Sequence, residues 1–169
     1  MITMPDDNDR VLMTRISPDP GAGPMALLSR RRFAGSPEQV RHARRFVELA
    51  VGECSATEYA VLLTSELASN AVRHTESGNG GSFEVSVYVG DSRLRVEVAD
   101  EGSTRTAPEA RLIDLDEEQL PGGRGIAIVD LCAACWGHSG DDSGRVVWFE
   151  LTRDGSVAGE DSLDLPKGA

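Results

Sequence analysis

The chain has 169 residues, 28 acidic and 17 basic side chains, and a formal charge of −11. It is long enough to bury a core without disulfides or structural metal, and three cysteines are too few and too odd for a disulfide framework. The acidity argues against direct nucleic-acid binding, which needs clustered cations. No apolar run approaches bilayer length, and Asp6, Asp7 and Asp9 stand where a secretory signal would be apolar, so a soluble cytoplasmic protein with no membrane contact is expected.

Residues 1–24 are rich in Asp, Pro and Gly without sustained period and read as a disordered arm. Residues 25–33 pass from an apolar stretch into Arg30-Arg31-Arg32-Phe33 and predict an edge strand. Ser36-Pro37-Glu38-Gln39 opens a helix, with serine as cap, proline in the first turn and Gln39 completing a capping box. Val40, Ala43, Phe46, Val47 and Ala50 recur at helical spacing and lay it on a core. A second helix runs over 57–74, its apolar face including Ala60, Val61, Leu63, Leu67 and Ala71, flanked by Ala68. After a turn-rich loop, Phe83, Val85, Val87 and Val89 alternate as a strand. Gly90-Asp91-Ser92 turns the chain into a partner carrying Leu94, Val96 and Val98.

The polar segment over about 101–123, with Pro108 and Pro121, has the length of a functional lid. A helix then begins at the glycines and continues through Trp136, which places Cys132 and Cys135 on one apolar face as core cysteines rather than a metal or redox pair. Gly140-Asp141-Asp142-Ser143-Gly144 is a turn, residues 145–151 close the fold as a strand, and residues 154–169 read as a solvated, disordered tail. The expected domain over 25–153 is a two-layer α/β sandwich, with a largely antiparallel mixed sheet covered on one face by helices.

Three short patterns carry chemistry. Glu66 and Asn70 lie four apart and share one helix face, opposite Leu63, Leu67 and Ala71. An amide oxygen there is a hard ligand suited to magnesium, and a carboxylate beside it can take a proton from an attacking hydroxyl. Asp100 ends a strand two residues before Gly102, where a carboxylate can accept a hydrogen bond from an exocyclic amine and glycine admits a base close to the backbone. Gly122-Gly123-Arg124-Gly125 leads straight into an apolar helix, so its N–H groups and the helix field can cradle phosphate. No Gly-Lys-Ser/Thr follows, so this is not a Walker A loop. Arg30, Arg31, Arg32, Arg41, Arg44 and Arg45 form the one cationic cluster. It reads first as a solvated face and second as a docking patch for an acidic protein.

In this order, Glu-Leu-x-x-Asn-Ala-x-x-His, Asp-x-Gly and Gly-x-Gly-Ile resemble the nucleotide-binding boxes of the gyrase/Hsp90/histidine-kinase/MutL ATPase superfamily. The resemblance spans about 36–151, and the compact size is similar to the anti-sigma factor serine/threonine kinases of partner-switching systems. It implies an ATP-binding fold of the same two-layer kind. It also implies magnesium on Asn70, Glu66 as general base, Asp100 and Gly102 at adenine, and Gly123, Arg124, Gly125 and Ile126 at the phosphates and lid hinge. The partners it implies are an anti-anti-sigma (STAS-type) protein phosphorylated on serine, a sigma factor held in the other state, and a second copy in a homodimer. Two features depart from the family pattern. Thr104 replaces the second glycine of Asp-x-Gly-x-Gly, and the lid carries Glu109, Asp114, Asp116, Glu117 and Glu118. Both favour the alternative of a non-catalytic interaction module with a passive or degenerate nucleotide site.

Overall fold

The computed structural model describes residues 12–13, 23–102 and 124–155. Its elements, in chain order, are β1 (Leu12–Met13), β2 (Ala26–Ala34), α1 (Pro37–Val51), α2 (Thr57–His74), a 3-10 turn (Glu76–Gly78), β3 (Ser82–Val89), β4 (Arg93–Asp100), α3 (Arg124–Cys132), β5 (Cys135–Asp141) and β6 (Gly144–Thr152). The strands form one sheet in the order β1-β5-β6-β4-β3-β2. Every pairing in it is antiparallel, so the expected mixed sheet is wholly antiparallel among the described residues.

The period-2 pattern decides which sheet face is covered. Phe83, Val85, Val87, Leu94, Val96, Val98, Phe149 and Leu151 are buried on one side. They form a single cluster with Ala43 and Val47 of α1, Leu63, Leu67 and Ala71 of α2, and Val129 of α3. The other face is polar. The Glu150 carboxylate accepts from Arg93 at 2.7 Å and Arg95 at 3.3 Å, and the Arg95 guanidinium lies 3.9 Å from the Trp148 ring centroid. This is the two-layer α/β sandwich expected from the pattern, with β2 as an edge strand.

Four local expectations change. The third helix ends at Cys132 and does not continue through Trp136. Ala133 N–H closes the last turn on the Val129 carbonyl, and Ala134 N–H already bonds the Glu150 carbonyl of the sheet. Pairing with β6 wins over helical continuation, setting Trp136 opposite Phe149 in the core while its indole N–H reaches Asp130 at 3.0 Å. Cys132 and Cys135 therefore sit on different elements, and no helix face carries both.

At the start of α1 the Ser36 side chain makes no cap hydrogen bond, so the capping box does not form. Only the Ser36 carbonyl accepts the Gln39 N–H, at 3.0 Å. The hydroxyl serves Glu38 instead, whose carboxyl is drawn below the usual glutamate range by its own backbone N–H and then by Ser36. Finally, Leu12 and Met13, inside the segment read as an unstructured arm, pair with His138 and Gly137 of β5. Residues 103–123 of the expected lid, and residues 156–169 of the tail, lie outside the described residues.

Candidate nucleotide site

α2 is amphipathic: Ala60, Leu63, Thr64, Leu67, Ala68 and Ala71 are buried. The Thr64 hydroxyl is absorbed by the Ala60 carbonyl at 2.7 Å, so this polar residue costs the core nothing. Glu66 and Asn70 lie one turn apart and half-buried. Gly125, in the first turn of α3, is buried against them. A Cβ built there would stand 2.8 Å from Glu66 Oε2 and 3.5 Å from Asn70 Nδ2. Glycine leaves the Glu66 carboxylate undisturbed at this close approach, and the start of a nine-residue helix is set beside a carboxylate and an amide. The structure thus brings Glu66, Asn70 and Gly125 together. Ile126 is half-buried against the core. Arg124 opens α3, while Gly122, Gly123 and Thr104 lie outside the described residues.

The second candidate group is the end of β4. Asp100 Oδ1 accepts the Gly102 N–H at 2.7 Å, an Asx turn that aims the carboxylate. Gly102 has φ +72°, and a Cβ on it would overlap the Asp142 carbonyl of the β5–β6 hairpin. Burial pushes the Asp100 carboxyl up from the ordinary aspartate value, while the Gly102 N–H and the charge of Arg145 pull it back. Arg145 is buried and lies across from Asp100 in the β4–β6 register. On β5, burial and then the Arg145 charge push the His138 imidazole below its usual value. Arg145 carries no local sequence signal of this role. Its place beside Asp100 depends on strand register, which no local pattern in β6 reveals.

Magnesium fits this arrangement. Among the described residues no group of three His, Cys, Asp or Glu side chains could hold a metal by itself. An ion held by the Asn70 amide oxygen would take the rest of its shell from phosphates and water. No hydrogen bond among the described residues engages the side chains of Glu66 or Asn70, whose oxygens remain available.

Neither of the other sequence clusters joins the site. Burial, then Glu150, pushes the Cys135 thiol up to about 12, and Cys135 is buried at the start of β5. The arginines split. Arg30 and Arg32 lie 3.4 and 3.9 Å from Glu84, and Arg45 lies 2.6 Å from Glu48. Arg31, Arg45 and His42 line a separate open groove of about 580 Å³ between β2 and α1.

Residues 33–150 match the family model of the histidine kinase-like ATPase domain, well over half of the chain. The chain belongs to this family, and so to the gyrase/Hsp90/histidine-kinase/MutL class of ATP-binding domains. A search of curated proteins finds no match. No helix among the described residues is long and apolar enough to cross a membrane.

Proposed function

We propose that this ATP-binding domain is a serine-directed protein kinase of the partner-switching kind. In this reading it phosphorylates a serine of an anti-anti-sigma (STAS-type) protein and, in its other state, sequesters a sigma factor. The observation that carries the catalytic part is the Glu66–Asn70–Gly125 cluster: a half-buried carboxylate one helical turn before an amide, both against the start of α3. Bound magnesium would neutralise phosphate charge and help align the transferred group. Asn70 would hold that ion through its amide oxygen. The Gly125 backbone and the helix field would face the phosphates. Asp100 would accept a hydrogen bond from the adenine amine, and Gly102 would let the base lie against the backbone.

In the transfer itself a bond forms between the partner's serine oxygen and the γ-phosphorus. The bond to the bridging oxygen breaks, ADP leaves, and Glu66 takes the hydroxyl proton. The chain contributes mainly position and electrostatics, as phosphoryl transfer requires.

The test is transfer of labelled γ-phosphate to a candidate partner. Glu66→Ala should lower the rate by about 10²–10³-fold, within the range for loss of a general base, while ATP affinity stays within about twofold. Acid-stable phosphoserine is the expected product. Transfer that survives Glu66→Ala would remove Glu66 as base. An acid-labile product would point to histidine as acceptor. ATP binding without transfer to any partner would make the chain a non-catalytic interaction module on the same fold.

A further inference from the structure

The turn that carries Asp100 is held by more than the sheet. On the β3 side the ladder stops at Glu84↔Ala99, one residue short of Asp100. Beyond that point the connection between α2 and β3 takes over. Ser77 is fully buried, and its hydroxyl accepts the Glu101 N–H at 3.0 Å. The Glu76 N–H donates to the Gly102 carbonyl at 2.8 Å. The Glu101 carboxylate reaches back, and its Oε1 accepts both the N–H of Ser82, at 3.0 Å, and its hydroxyl, at 2.9 Å.

Ser77 is itself fixed from α2. The Thr75 hydroxyl oxygen accepts the Ser77 N–H at 3.2 Å and donates to the Ala71 carbonyl at 2.6 Å, next to Asn70 in the chain. Close approach is built in at two glycines. A Cβ on Gly35 would overlap the Ser77 carbonyl, and one on Gly81 would overlap the Glu101 carboxylate.

Glu101 is exposed. Water would solvate its carboxylate at no cost, yet the group closes a charge-assisted pair of hydrogen bonds onto the first residue of β3. Those bonds hold the residue between Asp100 and Gly102. We propose that residues 75–82 form a strut that sets the direction of the Asp100 carboxylate, with Ser77 and Glu101 as positioning residues for recognition of the adenine base. This inference rests on the nucleotide reading above. It ties the base end of the site to the C-terminal end of α2, where Asn70 sits, through protein bonds alone.

The experiment uses the full chain with magnesium and a fluorescent trinitrophenyl-ATP probe, displaced either by ATP or by tripolyphosphate, which has no base. Glu101→Ala should weaken ATP about tenfold, the scale of a lost charge-assisted contact, and leave tripolyphosphate unchanged. Glu101→Gln should restore ATP, because its amide oxygen still accepts both Ser82 donors. Ser77→Ala should shift ATP in the same direction as Glu101→Ala. Equal weakening of ATP and tripolyphosphate would mean general loosening and overturn the proposal, as would an unchanged ATP affinity in Glu101→Ala. If the wild-type chain fails to bind the probe or ATP, the nucleotide reading falls, and the strut's role falls with it.

Discussion

The two halves of the site are built in opposite ways. At the end of β4, the groups around Asp100 are bonded to one another: Gly102 to Asp100, Glu101 to Ser77 and Ser82, Glu76 to Gly102. On α2, Glu66 and Asn70 have no hydrogen-bond partner among the described residues and face Gly125, where an added methyl would press on the Glu66 carboxylate. On the proposed reading, the end that would take the base is shaped in advance by these bonds. The end that would take metal and phosphates, on the same reading, leaves the Glu66 and Asn70 side chains for the ligand to engage. A site divided this way puts rigidity where a flat base must be told from others, and spare coordination where metal and phosphates bring their own oxygens.

This contrast makes substitutions at the two ends fail differently. The largest expected effect is on the β4 turn. Gly102→Ala would require a non-glycine residue at φ +72° and push its Cβ into the Asp142 carbonyl, which is backbone and does not yield. A loss of about 3 kcal/mol of stability is expected, read as a lower denaturant midpoint. Unchanged stability would mean that the turn is not held as described.

Asp100→Asn comes next and separates charge from shape. Burial raises the Asp100 carboxyl from 3.8, so the ionised form that would accept the amine is lost on acidification at a higher pH than for an exposed aspartate. The stability linkage runs the other way. A raised folded-state value favours the protonated group, and its contribution is present below the ordinary value and lost as pH rises through the raised one. The substitution should weaken ATP about tenfold at neutral pH and flatten the acid limb of binding. A wild-type acid limb that persists unchanged in Asp100→Asn would assign it to another group.

The smallest change in stability is expected at Gly125. An added methyl there meets the far end of the Glu66 side chain, which can swing away. Gly125→Ala should therefore alter stability by less than about 1 kcal/mol while phosphotransfer falls, because Glu66 has been displaced. A large stability loss with intact transfer would reverse the contrast between the two ends.

What the sequence makes legible follows the same division. Glu66 and Asn70 can be paired from spacing alone, since helix geometry puts residues four apart on one face whatever surrounds them. Asp100 and Gly102 are readable as a strand end, and the strands of the β3–β4 hairpin from their alternation. The strut and Arg145 are not readable, because Ser77 meets Glu101, and Arg145 meets Asp100, only through sheet register and loop packing across many residues. The end of α3 fails for a related reason. Ile126, Val129 and Trp136 suit a helix face, but the carbonyl of Glu150 draws Ala134 into the sheet after Cys132. The capping box at Ser36 matched in residue type, but the Ser36 side chain makes no cap hydrogen bond and instead lowers the Glu38 carboxyl.

The central claim is that a magnesium-nucleotide site lies between α2, the end of β4 and the start of α3. Calorimetric titration with ATP, with and without magnesium, for the wild-type chain and Asn70→Ala, tests it most directly. The account predicts magnesium-dependent binding by the wild type and about tenfold weaker binding, with most of the magnesium dependence gone, in Asn70→Ala. Binding that is indifferent to magnesium, or to the loss of Asn70, would contradict it.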